Sequence, residues 1–171
     1  MNINEQERIR LEEIYQTFLN DEKIKKMKGI NMHRGSNTYV HSFKVAKKSI
    51  KRAIKSRKKN IDFNVVLIGA ILHDYYLYDW RVERNKRKKH GRNHPNISSE
   101  NATRDFQISD KIKKVIKSHM WPINIKEFPT SIEAKIVSIS DKIVSLGEAL
   151  TSIAFKNKRK EKYLAYISHL F

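Results

Sequence analysis

Apolar residues recur along this chain at spacings of three and four, the repeat of a helix with one buried face. Leu11, Ile14, Tyr15 and Phe18 mark a first helix, with Asn4 placed to cap its N-terminus. A lysine-rich turn from Asp21 to Lys28 closes at Gly29, which suits the position just past a helix end. A second long helix is predicted from Thr38 to Arg57, with Phe43, Ala46, Ile50, Ala53 and Ile54 facing inward. Asp62 can then cap Phe63 to His73, which is apolar on every side and so reads as a buried central helix. Val65 to Ile68 would also suit a parallel strand, but no alternation of strand and helix follows. Tyr75 to Asn93 lacks periodicity and reads as a long basic loop. Pro95 fits the first helical position of a segment reaching Phe106. Ser109 can cap another, with Ile112, Val115, Ile116 and His119 on one face, stopped by Trp121-Pro122. Thr130 and Glu133 have capping-box spacing for a long helix whose apolar face runs through Ile136, Ile139, Ile143, Leu146, Leu150 and Ile153. The basic cluster Lys156 to Lys160 breaks that pattern before a last helix through Tyr163, Tyr166, Ile167 and Leu170. The expectation is an all-α protein, one domain over residues 1–171, of about seven helices.

Composition narrows the chemistry. The chain has no cysteine, so neither a disulfide nor a thiolate nucleophile is available. Its longest apolar stretch, Val65 to Leu72, has eight residues, against the ~20 that span a bilayer. Charges at Glu5, Glu7, Arg8, Arg10, Glu12 and Glu13 leave no secretory apolar segment near the start. The expected state is soluble and cytoplasmic, with no membrane partner. The net charge of +18 invites a nucleic-acid reading. The chain is also rich in Lys, Ile and Asn, residues of AT-rich codons, so part of the charge follows from composition alone. A positive field would equally steer small phosphate esters.

Seven histidines are spread along the chain: His33, His41, His73, His90, His94, His119 and His169. A single histidine on an apolar face is ordinarily a hydrogen-bonded core residue. The distribution here is different. His41 lies within a helix, His73 and Asp74 end the most apolar one, and His119 ends another. Asp141 shares a stripe with Ala134, Val137 and Val144, so it is expected to face inward. A buried carboxylate needs a partner, and a metal ion surrounded by helix-borne histidines is an economical one.

The order His41, His73-Asp74, His94, His119, Asp141 resembles the HD superfamily of metal-dependent phosphohydrolases, named for the adjacent His-Asp pair. The resemblance covers roughly residues 30–150, leaving 1–29 and 156–171 as flanking helices. It implies an all-helical fold and divalent transition ions (iron, manganese, cobalt or zinc). The two histidines between the pair and the final aspartate are similar to the binuclear branch, which includes dinucleoside-polyphosphate hydrolases and cyclic-dinucleotide phosphodiesterases. Carried over, that likeness puts one ion on His41, His73, Asp74 and Asp141, and a second on His94 and His119, with Asp74 bridging. Two ions are thus favoured over one, and Asp74 is the catalytic carboxylate. The segments 72–80, 90–95, 119–122 and 141–142 also look like a bacterial subgroup of HD phosphohydrolases with no settled substrate. The glycine-tyrosine-proline signature of cyclic-dinucleotide enzymes is absent.

Such a centre suits phosphate chemistry. Four neutral histidines and two aspartates against two divalent ions leave a residual positive charge that fits an anionic substrate, and a hydroxide bridging the ions would serve as nucleophile. Between Asp74 and His94 lie Arg81, Arg84, Lys86, Arg87, Lys88, Lys89 and Arg92. Arg92, two residues from His94, is the best-tethered candidate for a forked phosphate contact. Lys142, His33 and His90 are further candidates for binding substrate. Tyr75, Tyr78 and Trp80 would either stack on a base or pack the loop. The expected function is hydrolysis of a nucleotide-type phosphoester or phosphoanhydride. The alternative is a nucleic-acid-binding protein, or one that binds a nucleotide without turnover.

Overall fold

In the computed structural model, residues 3–32, 36–82 and 90–168 are described, with side chains as far as Ile153. Seven α-helices are present among them. They are α1 (Glu5–Asn20), α2 (Glu22–Lys25), α3 (Thr38–Lys55), α4 (Phe63–Leu72), α5 (His90–Phe106), α6 (Asp110–Ser118) and α7 (Ile132–Ser168). A short 3₁₀ turn, Lys26–Gly29, follows α2. The only pairing of strand type among the described residues is an isolated bridge between Asn31 and Asn37. The all-α expectation therefore holds.

Capping side chains set several of the starts. Asn4 accepts from the Glu7 amide, Asn37 from Val40 and Asp62 from Val65, each satisfying an orphan donor of the first turn. Helix α4 is buried along nearly its whole length, including Val66, Leu67, Ile71 and Leu72. Helices α1, α3, α6 and α7 pack around it. That arrangement is what a ten-residue helix with no polar face requires. Each fully buried aliphatic side chain there contributes roughly 1.5–3 kcal/mol. A Cβ at Gly69 would lie 2.7 Å from Val115 Cγ1, so glycine is what lets α4 and α6 approach. The polar ends of these elements then meet beside the C-terminus of α4.

Four expectations need correction. Helix α5 begins at His90, not at Pro95, so the proline lies inside it. The His94 ring donates Nδ1–H to the His90 carbonyl at 2.8 Å, tying the turn that the proline cue had assigned to loop. The N-terminus of α7 is capped by Ser131, whose Oγ accepts from the Ala134 amide, rather than by Thr130. Glu133 does not close a capping box; it reaches across to accept from the Asp62 amide at 3.1 Å. Finally, α7 is continuous through the basic cluster, since long basic side chains are good helix formers. Its row Ile139, Ile143, Leu146, Leu150 and Ile153, expected in the core, is 39–62% exposed. The face that packs inward instead carries Ala134, Val137 and Asp141.

Candidate metal centre

Five helices each deliver something to one buried point. Mid-helix His41 comes from α3, and His73 and Asp74 follow the last turn of α4. His94 comes from the first turns of α5, His119 is the C-cap of α6, and Asp141 lies on α7. All six residues are at most 7% exposed. Their candidate ligand atoms form three overlapping sets, each within 4.8 Å: His41, His73 and Asp74; His73, His119 and Asp141; Asp74, His94 and His119.

The ring nitrogens face the same way. His73, His94 and His119 donate Nδ1–H to the carbonyls of Ala70, His90 and Ile116 at 2.7–2.8 Å. These are backbone groups three or four residues back on the same helix. Each bond fixes the tautomer, leaving a lone pair on Nε2 aimed into the centre. His41 is held through a carboxylate instead, its Nδ1 lying 3.0 Å from Glu148 Oε2. His41 Nε2 is 3.1 Å from Asp141 Oδ1. Asp74 divides its oxygens. Oδ2 lies 3.4 Å from His73 Nε2, while Oδ1 lies 3.2 Å from His94 Nε2 and 3.6 Å from His119 Nε2.

Two observations test whether a cation suits these residues. The His94 and His119 Nε2 atoms approach to 2.9 Å, although each ring has already placed its proton on the opposite nitrogen. Two lone pairs facing one another in a buried space repel, and a positive charge, either a proton on one ring or a metal cation, resolves the repulsion. Buried His73 Nε2 has no hydrogen-bond partner. Leaving such a group unsatisfied costs about 1–3 kcal/mol. The donor set of imidazoles and carboxylates is also the one that borderline divalent ions take.

The electrostatics differ around the cluster. Burial pushes His41 down, but hydrogen bonds to Asp141 and Glu148 and the charge of Asp74 outweigh it and raise its pKa to about 10. His73 is raised as well: burial lowers it, and Asp74 and Asp141 more than compensate. His119 goes the other way, to about 3, because burial is reinforced by the charges of His73 and His94. Burial alone would raise Asp74, but the His73 charge and the His94 hydrogen bond hold it well below the carboxylate range. Burial would raise Asp141 too, but the hydrogen bond from His41 and the charge of His73 depress it.

The residues expected at substrate are placed unevenly. His90 stands beside the centre, stacked between Trp80 and His94 with ring centroids 5.1 and 4.6 Å away, and its Nδ1 is 2.9 Å from the Tyr78 hydroxyl. Arg92 is exposed near the start of α5. Lys142 is directed elsewhere: its ammonium donates to the His119 carbonyl at 2.9 Å, to Ser138 Oγ at 2.8 Å and to the Ser138 carbonyl at 3.2 Å. Arg81 is engaged with Asp79. Tyr75 belongs to the core, its hydroxyl donating to Asp105 Oδ2. His33, His169 and the basic residues Arg84 and Lys86 to Lys89 lie outside the described residues. An open groove of about 880 Å³ between α1 and α3 borders none of the six.

Glu148 is absent from the sequence expectations. It is the only acid between Asp141 and Glu161, and it lies seven residues from Asp141, two turns along the same face. That spacing is the one signal that could have found it.

An all-α fold that converges four histidines and two aspartates on one buried point defines a class of helical metal-site proteins. Among families, the one described as HD domain matches residues 38–146, from the first turn of α3 to beyond Asp141. The chain belongs to the HD domain family, whose members bind divalent metals and include metal-dependent phosphohydrolases. No curated protein and no solved structure matches it. No helix among the described residues is long and apolar enough to cross a membrane.

Proposed function

We propose that this protein hydrolyses a nucleotide-type phosphoester or phosphoanhydride with two divalent transition ions held by His41, His73, Asp74, His94, His119 and Asp141. The observation that carries this reading is the approach of the His94 and His119 Nε2 atoms to 2.9 Å, each ring having its Nδ1 on a backbone carbonyl. The division of Asp74 between His73 on one oxygen and His94 and His119 on the other supports a bridging carboxylate and so two ions rather than one. When bound, such ions would supply Lewis acidity and a hydroxide nucleophile between them at neutral pH. The residues themselves do the positioning. Asp74 spans the two halves, the four Nδ1 hydrogen bonds hold the imidazoles in register, and Lys142 fixes the backbone at His119. Arg92, His90 and His33 are the residues we assign to substrate phosphate, with Arg92 offering a bidentate fork.

Two measurements test this. Elemental analysis of protein purified without added metal, then reloaded with iron, manganese, cobalt or zinc, should find close to two ions per chain. A phosphate-release screen over mononucleotides and dinucleoside polyphosphates should show turnover that a chelator abolishes. Salt-dependent RNA or DNA binding, with no turnover in any of the four metals, would replace this reading with the nucleic-acid one.

A further inference from the structure

Three of the four site histidines are held by the backbone of their own helix. His41 alone is held by a side chain from another element. Its Nδ1 lies 3.0 Å from Glu148 Oε2, two turns along α7 from Asp141, which itself meets His41 Nε2 at 3.1 Å. Glu148 is in turn fixed from the far side. Lys44 Nζ donates to its Oε1 at 2.8 Å, and Ser36 Oγ lies 3.4 Å from the same atom. The carboxylate is only 16% exposed, whereas the Lys44 side chain is half exposed. A carboxylate on Nδ1 of a histidine does two things that a carbonyl does less well. It locks the ring plane and tautomer, and its full negative charge strengthens the Nε2 lone pair as a donor.

We infer that Glu148 is the positioning residue for His41, and that it sets the metal affinity of the half of the centre formed by His41, His73 and Asp141. The inference rests on the metal-dependent reading above. Lys44 and Ser36 hold the carboxylate in place and touch none of the six site residues through their own hydrogen bonds. The arrangement also ties α3 to α7 at a second point beyond the His41–Asp141 contact. The orientation of the His41 ring thus depends on a residue outside the six, while the rings of His73, His94 and His119 are held by helix backbones.

The test is metal affinity, measured by competition of Co²⁺ or Zn²⁺ against a chromogenic chelator, on the full chain. Wild type should bind two ions. Glu148→Ala should weaken one of the two ions roughly 10- to 100-fold and leave the other near its wild-type affinity. Glu148→Gln, whose amide oxygen still accepts from Nδ1–H, should recover most of that loss. Lys44→Met, which removes the surface ion pair and leaves Glu148 beside His41, should stay within about threefold of wild type because an exposed charge is screened. Melting curves in chelator, compared across the variants, show whether the fold itself has been lost. A Glu148→Ala protein that folds and binds both ions as wild type does would overturn the role of Glu148 and leave the metal reading intact. Equal losses in all three variants would also overturn it, since a structural ion pair would then account for the effect. A wild-type chain that takes up neither ion would overturn the metal reading, and this inference with it.

Discussion

His41 and His119 are both buried to the same degree, within one cluster, yet their protonation is pushed in opposite directions. His41 meets two carboxylates, one on each ring nitrogen. His119 meets a carbonyl on one nitrogen and another histidine on the other. Burial penalises the charged form of both, so the neighbours decide. On the His41 side, anionic partners exceed the penalty. On the His119 side, cationic neighbours add to it. One side of the centre can thus balance its own charge with protons, and the other cannot.

Asp74 belongs to both sides, so its removal is the most damaging change. Asp74→Ala should abolish turnover and reduce metal content on both sides, by more than the roughly 10- to 100-fold in affinity that losing a residue behind a ligand costs. Normal turnover in a folded Asp74→Ala protein supplied with metal would remove the shared-carboxylate model. His41→Ala and His119→Ala separate the sides. Each should drop the bound complement from about two ions to about one. Loss of both ions in either variant would show that the sides do not fill independently. Arg92→Ala asks whether the side near His94 also holds substrate. It should leave metal content unchanged while lowering kcat/KM about 10- to 150-fold, the equivalent of about 1.5–3 kcal/mol for a lost charge-assisted hydrogen bond. An unchanged kcat/KM would take Arg92 out of the site.

The most gradual effect is that of pH on the metal-free protein. The raised pKa of His41 gives stability that is full below 6.5 and is lost as pH rises towards 10. The lowered pKa of His119 gives stability that is present above 6.5 and is lost as pH falls towards 3. Glu148 is lowered to about 2, because hydrogen bonds from His41 and Lys44 outweigh its burial, and it adds a loss below about 4.5. Urea denaturation in chelator should therefore show a stability maximum near neutrality with falls on both flanks. His119→Gln should flatten the acid flank more than the alkaline one. A change confined to the alkaline flank would mean that the two sides have been assigned the wrong way round.

Much of this was legible in the sequence. Asp62 before an unbroken apolar run announces α4, because a capped helix without a polar face has no place but the middle. The order of His41, His73-Asp74, His94, His119 and Asp141 carries the centre, because helices deliver such residues from their ends and inward faces. Other features depend on tertiary partners. Pro95 gives the same local signal at a helix start as one turn further in, and the His94 ring on the His90 carbonyl marks the second case here. Thr130 and Ser131 compete for one cap, and Glu133 leaves the capping box for a donor 71 positions away in the chain. On α7 two apolar stripes compete, and the one with the larger residues lies outward because the inward stripe must carry Asp141 to the centre. Glu148 acquires meaning only once α3 lies against α7.

His41 and Asp141 are 100 residues apart in the chain and 3.1 Å apart in space. Closing a loop of that length costs entropy that no local element repays, and such contacts form late in folding. The four intervening site residues, His73, Asp74, His94 and His119, join them only when α4, α5 and α6 have docked as well. Partly folded chains therefore have no complete site, and an ion that binds only the finished one shifts the folding equilibrium in proportion to the logarithm of its free concentration. For a chain that takes up such an ion, the level of available metal in the surroundings would set how long it survives proteolysis, separately from any turnover.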